Sequence, residues 1–213
     1  MSVAAKICGL STPDAVAAAA RHGARFVGFV FYPPSRRHVT PELAAALCAI
    51  VPAGIVRTGL FVDADDDLFA EAVAKAPLDL LQLHGRESPE RVAEIRRRFG
   101  KPVMKAILVA AEADLAMAER YYGVADRLLF DAKPPKGAPV PGGNGLVFDW
   151  ELLGGRRWAL PWMLSGGLNA SNLGQAVRLT HATAVDVSSG VESAPGIKDP
   201  DRIAAFLARA NSL

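Results

Sequence analysis

The chain has 213 residues, of which 51% are hydrophobic and 22% are charged, and its net charge at pH 7 is +2. This composition is typical of a folded globular protein and excludes an intrinsically disordered chain. The small net charge argues against nucleic acid or an anionic membrane as a partner.

Short runs rich in β-branched residues alternate with helical stretches rich in Ala, Leu and Arg along the whole chain. Strands are predicted at residues 3–8, 25–31, 55–62, 78–83, 103–109, 127–131, 158–164 and 184–187. Helices are predicted at residues 13–22, 41–51, 67–75, 89–99, 112–122, 149–153, 170–179 and 200–211. Several helices begin with proline directly after Thr, Ser or Asp, which is a common helix start signal.

Strands that alternate with helices indicate right-handed βαβ units and a parallel sheet. Eight units in 213 residues predict an α/β fold, a single (β/α)8 TIM barrel that occupies residues 1–213 as one domain. A doubly wound open sheet is the alternative, although such sheets usually have fewer strands. Residues 133–145 contain four prolines and four glycines, which predicts a loop.

The cysteines and the apolar runs indicate in which cellular compartment the protein is expected. Cys8 and Cys48 give neither a disulfide framework nor a metal-ligand cluster, so we expect free thiols and no metal. Lys6 interrupts the N-terminal apolar run too early for a signal peptide, and no stretch has the length of a membrane span. A cytoplasmic protein is therefore expected.

Barrel enzymes carry their active sites at the carboxyl ends of the strands and in the loops that follow. Two glycine- and serine-containing turns follow the predicted strands seven and eight, where this fold commonly binds phosphate. Backbone N–H groups and hydroxyls in such turns can hold an anion, although either turn alone is equally a tight connection. The candidate phosphate ligands are Gly166, Gly167, Ser188, Ser189 and Gly190.

Cys8 ends the first predicted strand and is a candidate general base. Lys6 and Cys8 share one face of that strand, so inside a barrel the ammonium would favour the thiolate. An inert buried cysteine is the alternative. Cys48 lies within a predicted helix and is expected to be a core residue.

Asp131 ends the sixth predicted strand. It is a candidate general acid, but a cap of the next loop and an ion pair with Lys133 are alternatives. An aspartate that donates a proton near neutral pH needs burial or a neighbouring like charge. Asp186, on the last strand, is either such a charge or an orienting group.

Arg36 and Arg37 follow a Pro-Pro turn after the second strand. A guanidinium suits a carboxylate ligand, but a solvated basic pair explains the two residues as well. His84 is either a titrating group or a hydrogen-bonded strand-end residue, and we assign it no chemistry.

Ordered strings along nearly the whole chain closely resemble the phosphoribosylanthranilate isomerase family of tryptophan biosynthesis. These strings are KICGL at 6–10, GFVFYPPSRRHVT at 28–40, GLFVD at 59–63, LQLHG at 81–85, FDAK at 130–133, GGNG at 142–145, FDW at 148–150, LSGGLN at 164–169 and VDVSSGVESAPGIKD at 185–199.

The resemblance implies an Amadori rearrangement of N-(5′-phosphoribosyl)anthranilate to the 1-(2-carboxyphenylamino)-1-deoxyribulose 5-phosphate. It implies that Cys8 removes the C2′ proton, that Asp131 protonates the ring oxygen, and that Arg37 holds the anthranilate carboxylate. It assigns the phosphate to Gly166-Gly167 and Ser188-Ser189-Gly190, with Asp186 positioning groups in the site. The partner is then a small sugar phosphate, and the chemistry needs no cofactor.

Three rival functions stay open. The histidine-pathway aminoaldose isomerase would be expected to have an aspartate where this chain has Cys8. A phosphopentose epimerase would need several histidine metal ligands, and only His84 is suitably placed. A non-catalytic phosphate-binding barrel would be indicated by loss of Cys8 or Asp131. The sequence leaves monomer or homodimer open, and the long 133–145 loop with Asn144 departs from the family and is expected to tune binding.

Overall fold

The computed structural model describes residues 2–135, 137, 142–143 and 145–213. Eight parallel strands close into a barrel in chain order, because the first strand pairs with both the second and the eighth. The closed parallel barrel confirms the predicted (β/α)8 fold. The strands are β1 (Ala4–Cys8), β2 (Phe26–Phe31), β3 (Val56–Phe61), β4 (Leu80–Leu83), β5 (Val103–Val109), β6 (Arg127–Ala132), β7 (Trp162–Leu164) and β8 (Ala184–Val187).

The α-helices formed by the described residues are α1 (Pro13–Arg21), α2 (Pro41–Ala49), α3 (Asp66–Lys75), α4 (Pro89–Phe99), α5 (Glu112–Leu115), α6 (Leu173–Thr180) and α7 (Pro200–Asn211). The side chains of Thr12, Thr40 and Ser88 accept hydrogen bonds from the first turns of α1, α2 and α4. Each of these helices also begins with proline, whose missing N–H would be unsatisfied there in any case. These three helix starts agree with the sequence prediction.

Two predicted starts differ from the structure by three residues or more. Strand β7 begins at Trp162 and not at residue 158. Pro161 has no N–H to give to a ladder, which places the start of the strand after it. Helix α6 begins at Leu173 and not at residue 170, because the Asn169 side chain accepts the N–H groups of Ser171 and Asn172 in a turn before the helix.

Three further segments differ in kind from the prediction. The helix expected at 112–122 is α5 followed by a 3₁₀ segment, Ala116–Tyr121, and the short one near 149–153 is also 3₁₀, Trp150–Leu153. A small antiparallel hairpin, β9 (Glu192–Ala194) and β10 (Ile197–Lys198), was not predicted. Its Pro195-Gly196 turn is a signal that the sequence offered.

The main hydrophobic core lies between the barrel wall and the helices. It includes a run of stacked rings in which Phe31 packs on Phe61 and Phe61 on Phe69, with centroids 5.0 Å and 4.2 Å apart. Burial of such side chains contributes about 1.5–3 kcal/mol each. Among the helices that the described part of the chain forms, none is long and apolar enough to cross a membrane.

Part of the predicted 133–145 loop lies outside the described residues, namely 136, 138–141 and 144, so the departure at Asn144 does too. The described residues of that stretch form neither helix nor strand, as predicted.

Candidate active site

A cavity that is open to solvent lies at the carboxyl ends of the strands. Its lining combines strand ends with the loops that follow β2, β6, β7 and β8. Eight of the nine site residues predicted from the sequence line it: Cys8, Arg37, Asp131, Gly166, Gly167, Asp186, Ser188 and Ser189. The ninth, Gly190, packs behind the lining residues and is described below.

One wall of the cavity, here called the thiol wall, is formed by Cys8 and Asp186, with Lys6 buried behind them. Side chains alternate along a strand, so Lys6 and Cys8 both point into the barrel. Lys6 on β1 is in register with Asp186 on β8, and its Nζ lies 2.9 Å from Asp186 Oδ1. Lys6 has no exposed surface. Because a buried charge is costly without a partner, the Asp186 carboxylate is needed to balance its ammonium.

Gly28 on β2 has no side chain, and the space next to it is occupied by the side chains of Cys8 and Lys6. It is in register with Cys8, and a Cβ at position 28 would lie 3.0 Å from Cys8 Sγ and 3.1 Å from Lys6 Nζ. The thiol and the ammonium therefore border the same small gap.

Burial raises the pKa of the Cys8 thiol above its ordinary value of 9.0. The charge of Lys6 lowers that pKa, as the sequence had indicated, but it does not offset burial and the nearby Asp186 carboxylate. The pKa of Lys6 is raised, because Asp186 and Cys8 together outweigh the effect of burial. The resting thiol is therefore neutral, and Lys6 limits the cost of ionising it.

A second wall, here called the carboxyl wall, is formed by His84 and Asp131, with Gln82 buried behind them. Asp131 Oδ2 lies 3.2 Å from His84 Nε2, and Oδ1 accepts the N–H of Ala132 at 2.9 Å. Gln82 Nε2 lies 3.0 Å from His84 Nδ1 and donates to it. In the neutral ring this places the proton on Nε2, which faces Asp131.

The alternative that Asp131 pairs with Lys133 was wrong. Lys133 points away and pairs with Asp114 at 2.6 Å on the surface. Asp186 is paired with Lys6, so it is not a free like charge for Asp131. His84, which the sequence left without a role, is the side chain that faces Asp131.

Gly142 and Gly143, in the loop after β6, lie against the carboxyl wall and Arg37. A Cβ at Gly142 would lie 2.6 Å from His84 Nε2 and 3.2 Å from Asp131 Oδ2, so only a glycine backbone approaches so closely. The carbonyl of the next residue, Gly143, accepts a hydrogen bond from Arg37 Nη2 at 3.1 Å.

Arg37 is buried, with 9% of its surface exposed, so the solvated basic pair proposed as an alternative was wrong for this residue. Its Nε and Nη2 donate to the two carboxylate oxygens of Glu192, at 2.7 Å and 2.9 Å. Glu192 Oε1 also accepts a hydrogen bond from Lys198 Nζ at 2.7 Å, which forms a second ion pair. Arg36, beside it in sequence, is exposed.

Glu192 and Lys198 come from the β9–β10 hairpin and were missed by the sequence analysis. Burial opposes the ionised form of Glu192, but the Arg37 hydrogen bond and the Lys198 charge outweigh it and lower its pKa to about 2. Burial lowers the pKa of Lys198 despite the neighbouring carboxylate. The signal that was available is a pair of charges around a Pro-Gly turn beside the predicted phosphate turn.

The two turns after β7 and β8 interlock. Gly166 and Gly167 have φ values of 91° and 62°, in the left-handed region that favours glycine. A Cβ at Gly190 would lie 1.9 Å from the carbonyl oxygen of Leu168, so the two turns touch through backbone. The Ser188 hydroxyl donates to the carbonyl of Cys8 at 3.1 Å, which ties the second turn to β1.

The remaining cavity wall is apolar, formed by Val30, Leu60, Tyr32 and Val62 next to Cys8. Such a surface accommodates a flat ring. Within the described ranges, no group of three or more His, Cys, Asp and Glu side chains could hold a metal ion.

A second buried ion pair, Lys105 with Glu87 at 2.8 Å, lies behind the carboxyl wall. Lys105 also donates to the carbonyl of Gly85 at 2.7 Å, which fixes the loop after β4. Neither Lys105 nor Glu87 lines the cavity.

Comparison with known proteins agrees with this arrangement. Residues 5–209 match the family model described as N-(5′-phosphoribosyl)anthranilate (PRA) isomerase. The N-(5′-phosphoribosyl)anthranilate isomerase of Rhodospirillum centenum is 62% identical, and the alignment covers 100% of each chain.

Solved structures are similar over the same length. A phosphoribosyl anthranilate isomerase in complex with reduced 1-(o-carboxyphenylamino)-1-deoxyribulose 5-phosphate has a TM-score of 0.84 and 34% identity, covering 99% of this chain and 100% of the other. A structure described as mutually generated monomers of the dimeric phosphoribosylanthranilate isomerase from Thermotoga maritima has a TM-score of 0.85 and 35% identity, with the same coverage. The chain belongs to the N-(5′-phosphoribosyl)anthranilate isomerase family.

Proposed function

We propose that this chain catalyses the Amadori rearrangement of N-(5′-phosphoribosyl)anthranilate to 1-(2-carboxyphenylamino)-1-deoxyribulose 5-phosphate, a step of tryptophan biosynthesis. One observation carries the proposal beyond family membership. A thiol and a carboxyl group, Cys8 and Asp131, line the same cavity with different partners. A reaction that takes one proton from carbon and gives one to oxygen needs such a pair.

In this mechanism Asp131 donates its proton to the ring oxygen O4′ as the C1′–O4′ bond breaks, which leaves a C1′ iminium. Cys8 first releases its thiol proton to solvent and then, as thiolate, removes the C2′ proton, so that the C2′–H electron pair forms the C1′–C2′ double bond of an enolamine. Cys8 is then again a neutral thiol, and Asp131 regains a proton from solvent. That enolamine converts to the C2′ ketone by moving the hydroxyl proton to C1′. The sum is an isomerisation without net gain or loss of electrons, so the residues supply acid, base and position.

The polar ends of the substrate fit different parts of the cavity. The anthranilate ring lies against Val30 and Leu60, with its carboxylate on the guanidinium of Arg37. The phosphate takes the interlocked turns at Gly166-Gly167 and Ser188-Ser189-Gly190, where backbone N–H groups are available. Asp186 acts indirectly, by holding Lys6 beside the thiol.

The proposed function also implies the domain organisation, the partner and the cellular compartment. Residues 1–213 act as one catalytic domain whose partner is a small-molecule sugar phosphate, and the place of action is the cytoplasm. The reaction chemistry requires no cofactor. Both monomer and homodimer are compatible with a site built within one barrel.

The proposal is tested by loss of anthranilate fluorescence from substrate generated in situ, with wild type, Cys8→Ala and Asp131→Asn. Rapid decay with wild type and a fall in kcat of about 10²–10⁴-fold in each variant are expected. If the substrate binds without turnover, the proposal is rejected in favour of a non-catalytic phosphate-binding barrel. Turnover of the histidine-pathway aminoaldose in its place would select that rival.

A further inference from the structure

Glu192 does not line the cavity, yet it is buried against a residue that does. Its two carboxylate oxygens hold Arg37 in a fork, through Nε at 2.7 Å and Nη2 at 2.9 Å. The second hydrogen on Nη2 is given to Gly143 O at 3.1 Å. Glu192 therefore fixes the guanidinium along its Nε–Nη2 edge. Within the described residues Nη1 donates no hydrogen bond and lies against Gly143, and Arg37 itself lines the cavity.

The charges of this cluster do not cancel. Arg37 and Lys198 carry two positive charges, and Glu192, the carboxylate they share, carries one negative charge. Among the described residues the cluster therefore keeps a net charge of about +1, which one carboxylate would neutralise. Sharing Glu192 with Lys198 leaves the Arg37 guanidinium able to attract a second anion.

The hairpin is itself anchored next to the second turn. Lys198 Nζ donates to the carbonyl of Ser188 at 2.9 Å, and the N–H of Gly196 donates to Glu192 Oε2 at 3.1 Å. The orientation of Arg37 is thereby set by the same segment that shapes the turn after β8.

We propose that Glu192 is a positioning residue for substrate recognition, which orients the Arg37 guanidinium so that its remaining edge binds the carboxylate of an aromatic acid. This inference rests on the proposed function, because the ligand of Arg37 is the anthranilate carboxylate. Glu192 touches no reacting atom and contributes to selection of the substrate rather than to proton transfer.

The test compares two substrates that differ only in that carboxylate. Mixing ribose 5-phosphate with anthranilate or with aniline gives the two ribosylamines, and product is measured by chromatography. For Glu192→Gln we expect the KM of the anthranilate substrate to rise at least about tenfold, which is the scale of one charge-assisted hydrogen bond. Its kcat is expected to stay within a few-fold, and kcat/KM for the aniline substrate to stay unchanged.

Asp79→Asn is the matched control. Asp79 also forms a two-bond pair with an arginine, through Arg57 Nε and Nη2 at 2.8 Å each, but neither residue lines the cavity. We expect no change in either KM.

The outcomes separate the two proposals. Failure of wild type to convert the anthranilate substrate rejects the proposed function and this inference with it. Turnover by wild type with equal losses on both substrates in Glu192→Gln, or no loss on either, rejects the inference alone. Where Glu192→Gln does not fold by circular dichroism, Glu192→Asp decides, because it keeps the charge but is too short for both bonds and is expected to show the same selective rise in KM.

Discussion

The thiol wall and the carboxyl wall face one cavity but are built from different interactions. Lys6 and Asp186 form a buried ion pair beside Cys8, so that wall consists of balanced charges around a neutral thiol. Asp131 instead faces the imidazole of His84, itself held by Gln82, so that wall consists of hydrogen-bonding groups. The difference shows how one barrel provides two distinct environments for the groups that we propose as base and acid.

The largest expected effect comes from removing the cation of the thiol wall. Lys6→Met leaves Asp186 buried without its partner, which should lower the free energy of unfolding by about 3–5 kcal/mol. It also removes the charge that favours the Cys8 thiolate, so kcat should fall about 100-fold, within the range of a general base. Denaturant unfolding and steady-state kinetics measure the two effects.

Lys105→Met is the control for that variant. Lys105 is equally buried and equally paired, but with Glu87 behind the carboxyl wall. A similar loss of stability with kcat reduced less than tenfold is expected. Equal falls in kcat for both variants would mean that Lys6 acts through stability alone.

The ionisation of the thiol is tested directly by alkylation. Because the pKa of Cys8 is raised above 9.0, the neutral thiol predominates at pH 7, and its reaction with iodoacetamide should accelerate about tenfold per pH unit up to pH 9. Mass spectrometry of the separate peptides follows Cys8 and Cys48 in one sample.

Cys48 serves as an internal reference, because burial raises its pKa to about 11 and it lies on α2 away from the cavity. A plateau in the Cys8 rate below pH 8 would show that Lys6 dominates over burial. Inorganic phosphate added during the reaction should slow the alkylation of Cys8 only.

A smaller effect is expected on the carboxyl wall. His84→Leu removes the ring whose Nε2 lies 3.2 Å from Asp131 Oδ2, and it should lower kcat about tenfold, the scale of removing one buried polar neighbour. His84→Gln, which keeps an N–H donor, should retain more activity. Alkylation of Cys8 should be unaltered in both variants, and a change there would show that the two walls are not independent.

The barrel could be predicted because the sequence patterns that indicate its strands and helices lie within short segments of the chain. Alternating strands and helices, with Thr12, Thr40 and Ser88 as caps, require no knowledge of distant contacts. The errors fall where a single residue changes the backbone, as Pro161 does before β7. The lining positions of Cys8 and Asp131 followed from the barrel rule, although their roles remain predictions.

The charged clusters could not be predicted because their partners are distant in sequence. Arg37 meets Glu192 across 155 positions, and no local pattern distinguishes it from the exposed Arg36. Lys6 and Asp186 are 180 positions apart and meet only because the barrel closes between β1 and β8. Burial of these charges is therefore a property of the closed fold and not of any segment.

The gap beside Gly28 has a consequence for sequence variation. Even one methyl group there would press on both the thiol and the ammonium, at 3.0 Å and 3.1 Å. In a library randomised at this position and selected for growth without tryptophan, survivors should keep glycine. A position that touches no substrate would then tolerate less change than much of the cavity lining, since its function is to leave room.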